Sequence, residues 1–186
     1  LIYKRANLIK NAAGKYKILE KILDSIKNIE YTIIFSTPQQ IDEVMRIMNL
    51  RGITAHRFTM EAGTSPRKEL GGISERDYIL NNFINKNYKV LVAMKCLDEG
   101  VDIPLARTAI LMASSVNPRE YIQRIGRIIR RCSNKSESTI YDIIVVPSFN
   151  IASEFKDVEL RILKKELVRY EEIAEKAINS AHALDL

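Results

Sequence analysis

Tyr31-Thr32-Ile33-Ile34-Phe35-Ser36 is short, apolar and rich in β-branched residues, and Thr37-Pro38 follows it at once. A run of this kind, apolar on successive positions, reads as a strand buried on both faces. Before it, apolar residues recur at Ile18, Leu19, Ile22, Leu23, Ile26 and Ile29, which predicts a helix from Lys15 to about Asn28. After it, Gln39–Asn49 is helical in period, with Ile41, Val44, Met45 and Met48 on one side. Ile53–Phe58 reads as the next strand.

Further strands are expected at Lys89–Ala93, Thr108–Met112 and Thr139–Val145. Between them Ser74-Glu75-Arg76-Asp77 offers an N-cap serine with acids in the first turn. The helix it opens carries Ile79, Leu80 and Phe83 inward. Glu61–Gly72, with three glycines, a proline and several charges, is read as the longest loop. Alternating strand and helix imply an α/β fold, with a mostly parallel sheet and helices on both faces. Sites in such sheets gather beyond the carboxyl ends of the strands, where Ser36, Lys95 and Ser114 fall. The chain divides into a linker and helix at 1–28, the α/β domain at 29–150 and a helical extension at 151–186.

With 186 residues the chain suffices for one domain with a substantial core. The net charge of +6 favours a polyanionic partner. Part of that excess sits at Arg119, Arg124, Arg127, Arg130, Arg131 and Lys135. The two cysteines, Cys96 and Cys132, have no metal-site or disulfide-framework spacing, so both read as reduced thiols of an intracellular, cytoplasmic protein. No apolar run approaches the roughly 20 residues needed to cross a bilayer, and no signal peptide is visible. Because the chain begins at Leu1, it reads as a piece of something longer.

Gln123-Arg124-Ile125-Gly126-Arg127-Ile128-Ile129-Arg130 carries the chemistry. At about 100° per residue, Gln123, Arg127 and Arg130 share one narrow helical stripe, and Ile122, Ile125 and Ile129 lie opposite. If Gly126 ends the helix early, the two arginines fall on its last turn and the following loop. Two guanidinium groups held side by side imply an anion, and their forks suit phosphate oxygens. Arg124 has no evident chemical role; an ion pair is the simpler reading.

Three stretches in order, Thr32-Ile-Ile-Phe-Ser36, Val90–Pro104 and 123–130, make the chain resemble the second RecA-like domain of superfamily 2 helicases and translocases, of DEAD/DEAH-box type. They are similar to motifs IV, V and VI of that family, the last in its QxxGRxxR form. The resemblance spans roughly residues 30–147. Lys95–Pro104, Asn117–Arg124 and Ile140–Pro147 look most like DNA-directed members, including type III restriction subunits and XPB-like branches.

The resemblance implies a RecA-like three-layer domain serving as half of an ATP-dependent motor. ATP and Mg2+ would be held mainly by a first RecA-like domain of the same polypeptide. Consistent with that division, the chain has no GxxxxGK[ST] loop and no DExx pair after a strand, so this fragment alone should be inactive. Arg127 and Arg130 match the family's arginine fingers, and Gln123 matches its leading polar position. Gly100 allows a tight turn, and Asp102 just beyond it matches the aspartate that faces the nucleotide sugar. DNA, with RNA as the other possibility, would be tracked along its backbone by Ser36, Thr37, Thr59 and Lys95, with Glu61 in the same loop as Thr59. Met94 stands where many members carry a threonine, which shifts the expected contact to Lys95.

Other readings of the residues are plainer. Asp98, Glu99 and Asp102 sit one and three apart on a short turn, which does not favour metal binding, and an N-cap or turn role is the plain reading of Asp102. His56 reads as a structural strand-end histidine, and Cys96, beside Met94 and Leu97, as a small buried hydrophobe. Leu160, Leu163, Leu167, Tyr170, Ala174, Ala177 and Ala181 trace a heptad seam, which fits a coiled coil or a single amphipathic helix packed on its own or a neighbouring domain. The fragment is expected to be monomeric and away from membranes. Two alternatives remain: a non-catalytic binding module that kept the fold, and an unrelated nucleotide-binding enzyme. The second would want a glycine-rich turn where Ser36-Thr-Pro-Gln-Gln40 has none.

Overall fold

The computed structural model describes residues 7–59, 61–94, 103, 105–112, 126, 135–146 and 153–185. Helix α1 (Gly14–Ser25) leads into β1 (Thr32–Phe35), then α2 (Ile41–Leu50) and β2 (Ala55–Phe58). A short ladder, β3 (Pro66–Arg67) with β4 (Ile73–Ser74), precedes α3 (Glu75–Ile84). Strands β5 (Val90–Ala93), β6 (Thr108–Leu111) and β7 (Thr139–Asp142) follow, and α4 (Ser153–Ala174) and α5 (Ser180–Leu184) close the chain.

The five longer strands form one sheet in the order β2-β5-β1-β6-β7. Every pairing is parallel, with Phe35 in register with both Ala93 and Leu111. Because strand side chains alternate between faces, the central strands feed two cores. Ile33, Phe35, Leu91, Ala93, Ala109 and Leu111 pack with Ile79 and Phe83 of α3. Ile34, Val90, Val92 and Ile110 pack with Leu19 and Leu23 of α1 and with Val44 and Met48 of α2. The sheet is thus covered by helices on both sides, as the alternation of elements implies.

Ser74 caps α3: its Oγ accepts from the Asp77 backbone N–H at 3.0 Å and donates to Asp77 Oδ2 at 2.6 Å. Two expectations need correction. The segment read as a loop, Glu61–Gly72, contains β3 and a 3-10 turn at Lys68–Leu70, and β3 pairs with β4 immediately beyond it. Gly71 and Gly72, at φ +72° and +83°, reverse the chain between those strands.

The heptad seam likewise does not run on as one helix. Helix α4 ends at Ala174, and α5 folds back so that Tyr170 Oη donates to the Ala183 carbonyl at 2.7 Å. Two of the seam's leucines, Leu160 and Leu167, are 40% and 38% exposed, whereas Arg169 beside the seam is 2% exposed.

Candidate nucleic-acid and nucleotide interface

The carboxyl edge of the sheet is a row one residue beyond the ladder. Ser36 N–H donates to the Ala93 carbonyl at 3.0 Å and Met94 N–H to Phe58 at 3.2 Å. Met112 N–H donates to Phe35 at 3.0 Å and Ile143 N–H to Leu111 at 3.1 Å. The edge therefore brings Ser36, Thr37 and Thr59 to one end of the sheet, as the strand reading expected.

Their donors are largely spent within the chain. Thr37 N–H donates to Gln40 Oε1 at 3.0 Å, and Thr37 Oγ1 donates to Asn11 Oδ1 at 2.5 Å. Asn11 Nδ2 in turn donates to Gln39 Oε1 at 3.1 Å, and buried Gln40 donates through Nε2 to the Lys10 carbonyl at 2.8 Å. The Ser36 hydroxyl is buried with no hydrogen-bond partner. At the neighbouring strand end, the half-buried Thr59 accepts from Ala62 N–H through its carbonyl at 3.2 Å, and Glu61 is exposed. Arg76 stacks its guanidinium 5.9 Å from the Phe58 ring centroid.

At the β6 and β7 end of the same edge lies a buried charge cluster that the sequence patterns did not single out. Lys15 of α1, 4% exposed, donates through Nζ to the Met112 carbonyl at 2.7 Å. Arg169 Nη2 donates to both carboxylate oxygens of Asp142 at 2.8 Å, and its Nη1 to Glu166 Oε2 at 2.8 Å. Burial pulls the Lys15 ammonium down to about 8; Arg169 and Lys10 add to that, while Glu166 and Asp142 oppose it. Burial also pushes the Asp142 carboxyl up, against the pull of Arg169. A charged residue at a helix position of mixed polarity gives no sign of burial; only the tertiary partners reveal it.

Gln123, Arg127 and Arg130, expected from the sequence to act on the nucleotide, lie outside the described residues with Gly100, Asp102 and Lys95, as do Cys96 and Ser114. Gly126, inside the arginine motif, is helical, and an added Cβ there would meet nothing within 4 Å. His56 lies in β2 with its ring tilted against Tyr88, centroids 4.7 Å apart. Among the described residues no three His, Cys, Asp or Glu side chains are grouped to hold a metal. No helix among them is long and apolar enough to cross a membrane.

The parallel sheet sandwiched by helices has the fold of a RecA-like domain. The helicase conserved C-terminal domain family matches residues 14–132, well over half of the chain, and the chain belongs to that family. It is 29% identical over 142 residues to the DNA 3'-5' translocase XPB2 of Sulfurisphaera tokodaii, covering 76% of this chain and 29% of that protein. It is 27% identical over 113 residues to the ATP-dependent RNA helicase eIF4A of Candida glabrata, covering 61% of this chain and 26% of that protein. The chain therefore spans less than a third of the length of these relatives. Among solved structures, the C-terminal domain of the DEAD-box protein Dbp5 superposes with a TM-score of 0.57 at 21% identity, over 84% of this chain and 93% of that one. The C-terminal part of the Fun30 ATPase domain gives 0.60 at 18% identity, over 90% and 56%. Both likenesses concern the fold.

Proposed function

We propose that this chain is the second motor domain of an ATP-dependent DNA helicase or translocase. The observation that carries the reading is the family match over residues 14–132, which takes in the whole Gln123–Arg130 motif. ATP and Mg2+ are held mainly by a first RecA-like domain of the same polypeptide. This domain closes over the nucleotide and delivers Arg127 and Arg130 to the γ-phosphate, where they offset charge developing in the transition state. Gln123 orients near the same phosphate, and Asp102, turned by Gly100, accepts from a ribose hydroxyl. Ser36, Thr37, Thr59 and Lys95 contact the nucleic-acid backbone, so that opening and closing moves the protein along a strand. DNA is favoured over RNA by the resemblance of Lys95–Pro104, Asn117–Arg124 and Ile140–Pro147 to DNA-directed members, and relatives of both kinds align with the chain. The division at residues 28 and 150 belongs to the same reading: a linker and first helix, the motor domain and a helical extension. The isolated domain hydrolyses no ATP and is a monomer.

The test is DNA-stimulated ATP hydrolysis by the full-length protein, wild type against Arg127→Ala and Arg130→Ala. The expected loss is on the order of 10³-fold with ATP binding retained. Unchanged hydrolysis in both variants would leave a binding module that kept the helicase fold.

A further inference from the structure

The loop after β1 is assigned above to the nucleic-acid backbone, yet its donors already point inward. A phosphate only accepts hydrogen bonds, so the Thr37 hydroxyl cannot serve one while it donates to Asn11 Oδ1 at 2.5 Å. The Thr37 N–H is held by Gln40 Oε1, and the Ser36 N–H by the Ala93 carbonyl. The Ser36 hydroxyl is the remaining donor. It belongs to a residue 7% exposed and has no partner at all, which a buried polar group tolerates poorly.

We propose that residues 7–12 form a latch on this loop, in which Asn11 occupies the Thr37 hydroxyl in the nucleic-acid-free protein and an incoming phosphate displaces it. The inference rests on the reading of Ser36 and Thr37 as backbone contacts.

The geometry suits a local latch. Asn11 is held on one side by Gln39 Oε1 and on the other by the Asn7 carbonyl, which accepts from Asn11 Nδ2 at 3.0 Å. Four residues further on, Lys15 is pinned to the Met112 carbonyl, and Leu19 and Leu23 are buried in the core. The Asn11 side chain can therefore leave the loop while the Lys10 carbonyl stays bonded to Gln40 Nε2 and α1 stays on the sheet. The exchange is favourable in sign. A hydrogen bond to an anionic phosphate oxygen is shorter and roughly twice as strong as one to a neutral amide oxygen. Release of Thr37 also frees the adjoining turn to let the orphaned Ser36 hydroxyl find a partner.

The experiment is the affinity of the full-length protein for a fluorescent single-stranded oligodeoxythymidylate, at one fixed salt concentration, by anisotropy. Asn11→Ala removes the competitor and should tighten binding about 5-fold, the size of one neutral hydrogen bond no longer broken on binding. Gln39→Ala loosens Asn11 without touching Thr37 and should act in the same direction by a smaller factor. Thr37→Val loses the phosphate bond and should weaken binding about 5-fold, and in that background Asn11→Ala should bring no gain. Weakening by Thr37→Val with unchanged or weaker binding in Asn11→Ala overturns the latch and leaves the contact loop standing. Unchanged binding in Thr37→Val overturns the contact reading itself, and the latch falls with it.

Discussion

Arg169 of α4 grips Asp142, the last residue of β7, with two 2.8 Å hydrogen bonds from Nη2 and a third from Nε at 3.2 Å. Glu166, one helical turn earlier, takes the remaining Nη1. The helical extension is thus fastened to the sheet through a buried ion pair as well as through apolar contact. Such a pair gives little net stability against a well-packed hydrophobic substitute, because desolvating both ions offsets their attraction. Breaking it on one side is another matter. Arg169→Met strands Asp142 and Glu166 in the interior and should cost about 3–5 kcal/mol in urea unfolding. Arg169→Lys keeps the charge but loses the fork and should also destabilise. Adding Asp142→Leu to Arg169→Met should recover much of the loss; no recovery would mean that the pair is not the source of the effect.

Lys15 gives this cluster a pH dependence of definite sign. Its ordinary value is 10.5 and burial lowers it to about 8, so between those values the unfolded chain binds a proton that the folded chain does not. Stability therefore rises with pH across that window, and below pH 8 the buried ammonium carries its full cost. The span amounts to roughly 3 kcal/mol at 1.36 per unit. Lys15→Met removes the titration while keeping an unbranched stem in the core. The wild type should gain on this variant by about that amount as the pH is raised from 8 to 10.5, measured by denaturant unfolding at matched ionic strength. A constant difference would show that Lys15 does not titrate in the window.

Ser74 closes one free N–H at the start of α3 while donating to Asp77 Oδ2, and it is itself buried. Ser74→Ala should cost about 1 kcal/mol, and Ser74→Gly only a few tenths, because glycine keeps the extended cap conformation and admits water to the N–H. Thermal unfolding of the two variants side by side checks the order; equal losses would point to packing at this position in place of capping.

The sheet was legible because each central strand is a run of four residues buried on both faces, so Thr32–Phe35 and Val90–Ala93 announce themselves without periodicity. The cap at Ser74 was legible because its acceptor and donor lie within three residues. What escaped the sequence depends on partners far along the chain. Asn11 meets Thr37 across 26 residues and Lys15 meets Met112 across 97. The heptad spacing at Leu160 and Leu167 suggested an apolar seam, but the deepest burial falls on Arg169, whose carboxylate partners no helical wheel displays. The β3–β4 ladder has two residues per strand, too few for any alternation to show. For the candidate site, the strand ends told where Ser36, Thr37 and Thr59 gather. They did not tell that Thr37 would already be engaged.

Two glycines give opposite expectations for the same chemical change. Gly71 sits at φ +72° between β3 and β4, its N–H donating to the Lys68 carbonyl at 3.1 Å. A Cβ there finds open space, so sterics with neighbours are not the issue; the backbone conformation is. Gly71→Ala should cost about 1 kcal/mol, the left-handed strain that an L side chain brings. Gly14 begins α1 with no positive φ, and its Cβ would also meet nothing within 4 Å. Gly14→Ala should therefore stabilise by about 0.4–1 kcal/mol, by narrowing the unfolded ensemble and favouring the helix. Denaturant unfolding of both variants reads the two signs. Destabilisation by both would mean that the chain near Gly14 is held in a conformation only glycine allows, contrary to its place at the start of α1.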